Sequence, residues 1–380
     1  MADPNAPRAP FTPWDRRELP GLFDVDVARH NRPCRPPAIR AAVAGRERAV
    51  DAAGFRELLL SRHLGPEAIE RSVGVVQRCE AILRQRRPGA AIKDATAGDV
   101  ELVLQALARP GAFEPGDALA MARYWLFAGN RAALVAILER IDGADVPGRL
   151  SQELARTIGA ERRGEVLAGL EPPSIDAAAQ VKCAYMRTLM ERLTRQVDED
   201  ALSAVLGANL HYQPAEAFAG ERDRFLAAAD VDAFLEDERG QYLTFLEGFR
   251  DEGTLYFTQP ITDAVLEWVR STPACGAGVR HGDRIRVTKI PYQADEYLRA
   301  EDDATRRRLA CHCPWARATI GNQESGVPAR LCECSAGFEA QRWNALFGRP
   351  VRVDVVRSAL AGDLLCEFDV HVPEELVPAG

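Results

Sequence analysis

Arg284-Ile285-Arg286-Val287-Thr288-Lys289-Ile290 is the stretch on which the fold class turns. Apolar and polar residues alternate through it, and strand side chains point to opposite faces with period two. Before about residue 275 the apolar pattern follows the longer helical period. After it, Val351-Arg352-Val353-Asp354-Val355 alternates again, and Leu364, Cys366, Phe368, Val370 and Val372 are spaced by two. Ala361-Gly362-Asp363 supplies a turn before the last strand. The expected class is therefore α+β: helical N-terminal and middle regions, then an α+β cysteine-rich C-terminal domain with an antiparallel sheet. Helices are expected near 293–309, 314–322 and 335–347.

Upstream, four regions are expected: an arm over 1–45, a helical module over 46–145, a helical region over 146–270 and the cysteine-rich domain over 271–380. Eight prolines between Pro4 and Pro37 favour an extended arm, because proline fixes φ and removes a donor. Leu64-Gly65-Pro66-Glu67 places proline at a helix start, and Thr96-Ala97-Gly98-Asp99 caps the next helix. Met186, Leu189, Met190 and Leu193 form one helical stripe. Phe225 to Leu246 holds another, with an expected interruption at Glu238-Arg239-Gly240. These stripes read as core.

The net charge of −8 argues against nucleic acid as the main partner. No apolar run reaches membrane-spanning length, so no membrane partner is expected. Met1-Ala2-Asp3-Pro4 lacks the basic start of a signal peptide, so a cytoplasmic location with reduced thiols is expected. Lysine occurs three times only, at Lys93, Lys182 and Lys289.

Nine cysteines are present, and five fall at Cys311, Cys313, Cys332, Cys334 and Cys366. Two Cys-x-Cys pairs would each project both thiols to one side if extended. Cys313 precedes Pro314, and Cys334 precedes a helix-like run. Each is thus a candidate for a helix start, where free N–H groups favour a thiolate. Such thiols serve as nucleophiles or metal ligands. Zinc is the metal that clustered thiolates suit, and the five cysteines are the candidate ligands. For a nucleophilic site, His312 and Glu333 are candidates to move protons, and Lys289 to bind an anionic group or lower a thiol pKa. Tyr292 and Trp315 are candidates to wall a ligand pocket, or core. Cys79 and Cys183 read as core, and His211 as a cap or core residue; Cys275 stays open.

Several motifs carry resemblances. Thr-Lys-Ile-Pro-Tyr at 288–292, Cys-His-Cys-Pro-Trp at 311–315, Cys-x-Cys-Ser-Ala-Gly at 332–337 and Gly362-Asp363 through Cys366-x-Phe368 resemble a bacterial domain family of unknown function. Cys313-Pro314, Cys334 and Gly362-x-x-x-Cys366-x-Phe368 are similar to the L-2-amino-thiazoline-4-carboxylic acid hydrolases, which implies hydrolysis of a small compound. The same ending resembles 4-vinyl-reductase-type ligand-binding domains, some of which hold zinc. Here Ser358 and Val355 stand where that zinc site would have a cysteine and a glutamate. Residues 55–140 resemble the helical core-binding domain of tyrosine recombinases.

Three functions follow as expectations. The first is a hydrolase-like enzyme on a small carbon–nitrogen or carbon–sulfur compound, using Cys313 or Cys334. The second is a non-catalytic zinc-containing sensor of a small ligand. The third is a DNA-associated protein working through the N-terminal helices.

Overall fold

The computed structural model describes residues 50–61, 64–107, 115–174, 177–211, 213–321 and 326–377. The proline-rich arm and Cys34 lie outside them. The chain forms two compact units that divide between Ile141 and Asp142, four residues before the boundary expected from sequence. No further division falls near residue 270, so the middle helices and the cysteine-rich segment belong to one unit.

The first unit is helical: α1 (Ala52–Ser61), α2 (Pro66–Arg86), α3 (Ala97–Leu107), α4 (Pro115–Phe127) and α5 (Arg131–Ile141). Pro66 opens α2 as expected. Thr96 and Asp99 cap α3 reciprocally: Asp99 accepts the Thr96 N–H, and Thr96 Oγ1 accepts the Asp99 N–H. The buried Asp99 carboxylate also takes both bonds of Arg87. Phe55, Tyr124 and Trp125 are buried in the core, and Cys79 is there as expected.

The second unit begins with α6 (Val146–Ile158), α7 (Ala160–Leu167), α8 (Ala179–Gln196), α9 (Glu199–Leu206), α10 (Ala219–Ala227) and α11 (Val231–Glu252). The interruption expected at Glu238-Arg239-Gly240 does not occur. Gly240 faces solvent, where glycine costs a helix only about 1 kcal/mol. Glu238 is buried and paired with Arg224 and Arg342. The break instead lies at 228–230, where the Asp230 side chain caps α11.

A two-residue hairpin follows, β1 (Leu255–Tyr256) with β2 (Gln259–Pro260), and then α12 (Asp263–Ser271). The main sheet comprises β3 (Val279–His281), β4 (Arg284–Thr288), β5 (Val353–Arg357) and β6 (Glu367–His371), in the antiparallel order β3-β4-β6-β5. Strand β3 was not legible in the sequence, being three residues long. Between β4 and β5 run α13 (Ala294–Arg299), α14 (Asp303–Ala310) and α15 (Glu333–Phe347). The single helix expected over 293–309 is split because Asp302 caps α14 and halts the chain there. The helix expected over 314–322 shrinks to a 3₁₀ turn at Arg317–Thr319. Ile320 turns extended after it, and Gly321 takes a φ of +93°.

Apolar side chains of α15 (Trp343, Leu346) cover Ile285, Val287 and Val370 of the sheet. On its other side, Cys334 and Trp315 join the core formed by Leu150, Leu154, Met186 and Leu206. Helix α15 therefore joins the middle helices to the sheet. No helix among the described residues is long and apolar enough to cross a membrane.

Candidate functional site

Four segments bring the five cysteines together. Cys311 ends α14, its N–H bonding Arg307 O. Two residues on, the Cys313 carbonyl accepts from Ala316 and Arg317 and starts the 3₁₀ turn. Cys332 is the N-cap of α15, and Cys334 lies in its first turn. This second pair is helical rather than extended as expected, whereas Cys311 of the first pair has extended backbone. Cys366 sits just before β6, and the Lys289 N–H donates to its carbonyl at 2.9 Å. Strand pairing thus continues one step past Thr288↔Glu367 and carries Lys289 onto the face of Val287 and Phe368.

The thiols converge. Cys311 belongs to one apolar cluster against which Cys313 and Cys366 pack, and Cys313 also packs against the cluster that holds Cys334. Each of the five lies within electrostatic reach of at least two others. Burial is the first influence on every one. It pushes Cys311 and Cys334 up to about 12, Cys332 to about 11, and Cys313 well above the ordinary thiol range. The lowered thiol pKa expected at a helix start is thus reversed, because desolvation outweighs the helix terminus. Cys313, Cys332, Lys289 and His312 nonetheless keep accessible surface. Among the described residues, no group of three or more His, Cys, Asp or Glu side chains is arranged to hold a metal ion.

Opposing burial is Lys289. Its ammonium lies 5.0 Å from the Phe338 ring centre and 5.5 Å from that of Phe368. Its charge favours the thiolates of Cys332, Cys334 and Cys366. Among the described residues no carboxylate pairs with it. The charge is held by aromatic faces beside sulfur.

The partner of Cys334 is His211, with Sγ 3.3 Å from Nε2. The imidazole stands edge-to-face on Phe338, 5.6 Å between ring centres. Two features place it there. Asn209 ties its own loop, bonding the N–H and the carbonyl of Gln213. Gly337 then lets α15 approach the backbone of Gly207 and Ala208 so closely that a Cβ would stand 2.5 Å from Gly207 O. Read in the sequence as cap or core, His211 is 123 residues from Cys334, and no spacing signal links them.

His312 has a different task from the one expected. Its Nε2 donates to Ile290 O at 2.7 Å, and its ring stands on Tyr292. Burial, with the charges of Lys289 and Arg317, holds it neutral, its pKa pushed down to about 3. It is a brace between β4 and the Cys311–Cys313 loop. Glu333, the first residue of α15, is paired with Arg330. Tyr292 and Trp315 are buried, as core. Arg317 stacks on Tyr292 at 4.0 Å. The Trp315 indole donates to Gly143 O at 2.9 Å. Cys275 is buried beside Val265 and Leu246, in a separate apolar cluster, and Cys183 is core.

Ser358 also gains a role that the sequence did not show. It is buried, accepts the Ala361 N–H at 3.0 Å, and is among the groups that favour the Cys332 thiolate against burial.

Comparison with protein-family models, with curated proteins and with solved structures gives no match to this chain. Its function rests on the geometry of the site.

Proposed function

We propose that this chain is a cysteine-dependent, hydrolase-like enzyme that processes a small molecule at a carbon–nitrogen or carbon–sulfur bond. The supporting observation is the 3.3 Å contact between Cys334 Sγ and His211 Nε2. A thiol within hydrogen-bond reach of an imidazole is the pairing that nucleophilic catalysis requires. With the ring proton on Nδ1, Nε2 accepts the thiol proton as sulfur attacks the electrophilic carbon. The imidazolium returns that proton to the departing nitrogen or sulfur, and water then releases the covalent intermediate. Burial keeps Cys334 protonated at rest, so proton transfer accompanies attack instead of preceding it. Lys289 favours the negative charge that grows on sulfur and takes an anionic group of the substrate.

The test is a turnover screen of thiazoline, amide and thioester compounds against the full chain, followed by variants on any compound consumed. Cys334→Ala is expected to abolish turnover. His211→Ala is expected to lower it by about 10²–10⁴-fold. Full activity in both variants would refute the assignment.

A further inference from the structure

On the reading that His211 serves Cys334 as base, we infer that Phe338 is the positioning residue of the site: its one ring holds both the imidazole and the Lys289 ammonium. Cys334 and Phe338 are four residues apart on α15, so their side chains share one face of the helix. The imidazole of His211 reaches onto that face. Its Nε2 is 3.3 Å from Cys334 Sγ, and its ring stands at 88° to the Phe338 ring with 5.6 Å between centres. Perpendicular packing at this separation is a preferred aromatic arrangement. It fixes the plane of the imidazole and so keeps Nε2 aimed at sulfur.

Lys289 reaches the same ring. Its ammonium is 5.0 Å from the Phe338 centre and 5.5 Å from that of Phe368, inside the range of about 6 Å over which an aromatic face attracts a cation. Phe368 is buried and pairs across the sheet with Val287, two residues before the lysine, so it anchors the root of that side chain. Phe338 and Lys289 both keep accessible surface. The ring that still touches solvent is therefore the one that base and cation share. An aromatic face attracts a cation without supplying a counter-charge, so an entering anion meets an uncompensated ammonium. Phe338 thereby sets where the anion sits relative to sulfur. A substrate must carry its anionic group close to its electrophilic carbon, which confines the class to small molecules.

Two alkylating reagents of matched size test this on the full reduced chain. Iodoacetamide is neutral, and iodoacetate places a carboxylate next to the same electrophilic carbon. Modification of Cys334 near pH 7 is followed by peptide mass spectrometry in the native chain, Phe338→Leu, Phe338→Tyr and His211→Ala. Phe338→Leu is expected to slow iodoacetamide by about tenfold or more, since misplacing a reacting group by about 1 Å can cost about 10²-fold. It should also lower the iodoacetate-to-iodoacetamide rate ratio about three- to tenfold, the size of a short-range charge attraction near a protein surface. Thiol ionisation cancels in that ratio. A merely structural role has the opposite sign, because loosened packing exposes the buried Cys334 and speeds both reagents. Phe338→Tyr keeps the ring and should restore the native rate and ratio. Should Phe338→Leu not fold, Phe338→Met, flexible and without a ring face, carries the same test. Native rates in His211→Ala would overturn the pairing with Cys334 and this inference with it. A slowed His211→Ala beside a Phe338→Leu that keeps the native rate or the native ratio would overturn the positioning role alone.

Discussion

Gly337→Ala puts two effects of opposite sign in competition. Within a helix, alanine is favoured over glycine by about 0.8–1.0 kcal/mol, so propensity alone predicts a more stable protein. The new Cβ, however, would stand 2.5 Å from Gly207 O, 2.6 Å from Gly207 C and 2.7 Å from Ala208 O, against 3.4–4 Å for ordinary contact. All three atoms are backbone, so no side chain can swing aside. Helix α15 must back away by roughly 1 Å, and such overpacking costs about 1–3 kcal/mol. The net expectation is a loss of about 0–2 kcal/mol. The same shift lengthens the Cys334–His211 contact, because Cys334 lies one turn before Gly337 and His211 three residues after Ala208. Urea denaturation followed by far-UV circular dichroism reads the stability. Alkylation of Cys334, followed by peptide mass spectrometry, reads the contact. An alanine variant more stable than the native chain, with Cys334 reacting as before, would refute the close approach.

Gly143→Ala should cost about 1–3 kcal/mol in the same denaturation assay, because the residue has a φ of +63° and its Cβ would meet Trp315 Nε1 at 3.1 Å. Arg342→Met should cost about 3–5 kcal/mol near pH 8, since it strips the paired cation from the buried Glu221 and leaves Glu238 with Arg224 alone. Its penalty should shrink toward pH 5, because burial has already raised Glu221 to about 7 and protonation removes the stranded charge. Stability should also fall in alkali. Cys275, Cys311 and Cys334 rise from 9.0 to about 12 on folding. Between those values the unfolded chain has released protons that the folded chain keeps. Each such thiol then costs about 1.4 kcal/mol per pH unit, and urea midpoints that stay flat from pH 9 to 11 would contradict this.

The change of period at Arg284–Ile290 announced the sheet because a half-buried strand must alternate, and β4 and β6 pair in the register that this alternation requires. Helix starts at Pro66 and Thr96 were equally legible, since capping is local chemistry. What failed was also local: a break needs its own capping residue, and Asp230 and Asp302 supply one where Gly240 does not. The cluster of five thiols was half legible. Cys-x-Cys spacing shows that pairs are close, but only the β4–β6 register and the packing of α15 bring both pairs to Cys366. Desolvation at those thiols depends on tertiary packing, so its reversal of the helix-start effect left no trace in the sequence. His211 was hidden for the same reason, meeting its cysteine through the fold alone, and so was Ser358.

The central claim is that His211 acts on Cys334, and the pH dependence of Cys334 alkylation tests it most directly. Iodoacetamide modification at that peptide is followed by mass spectrometry from pH 5 to 9 in the native chain and in His211→Ala, with Cys79 and Cys275 as buried controls. The account predicts that the native Cys334 reacts at least tenfold faster near pH 7, since general-base assistance contributes about 10²–10⁴-fold, and that the controls react alike in both proteins. Equal Cys334 rates with and without the imidazole would contradict it.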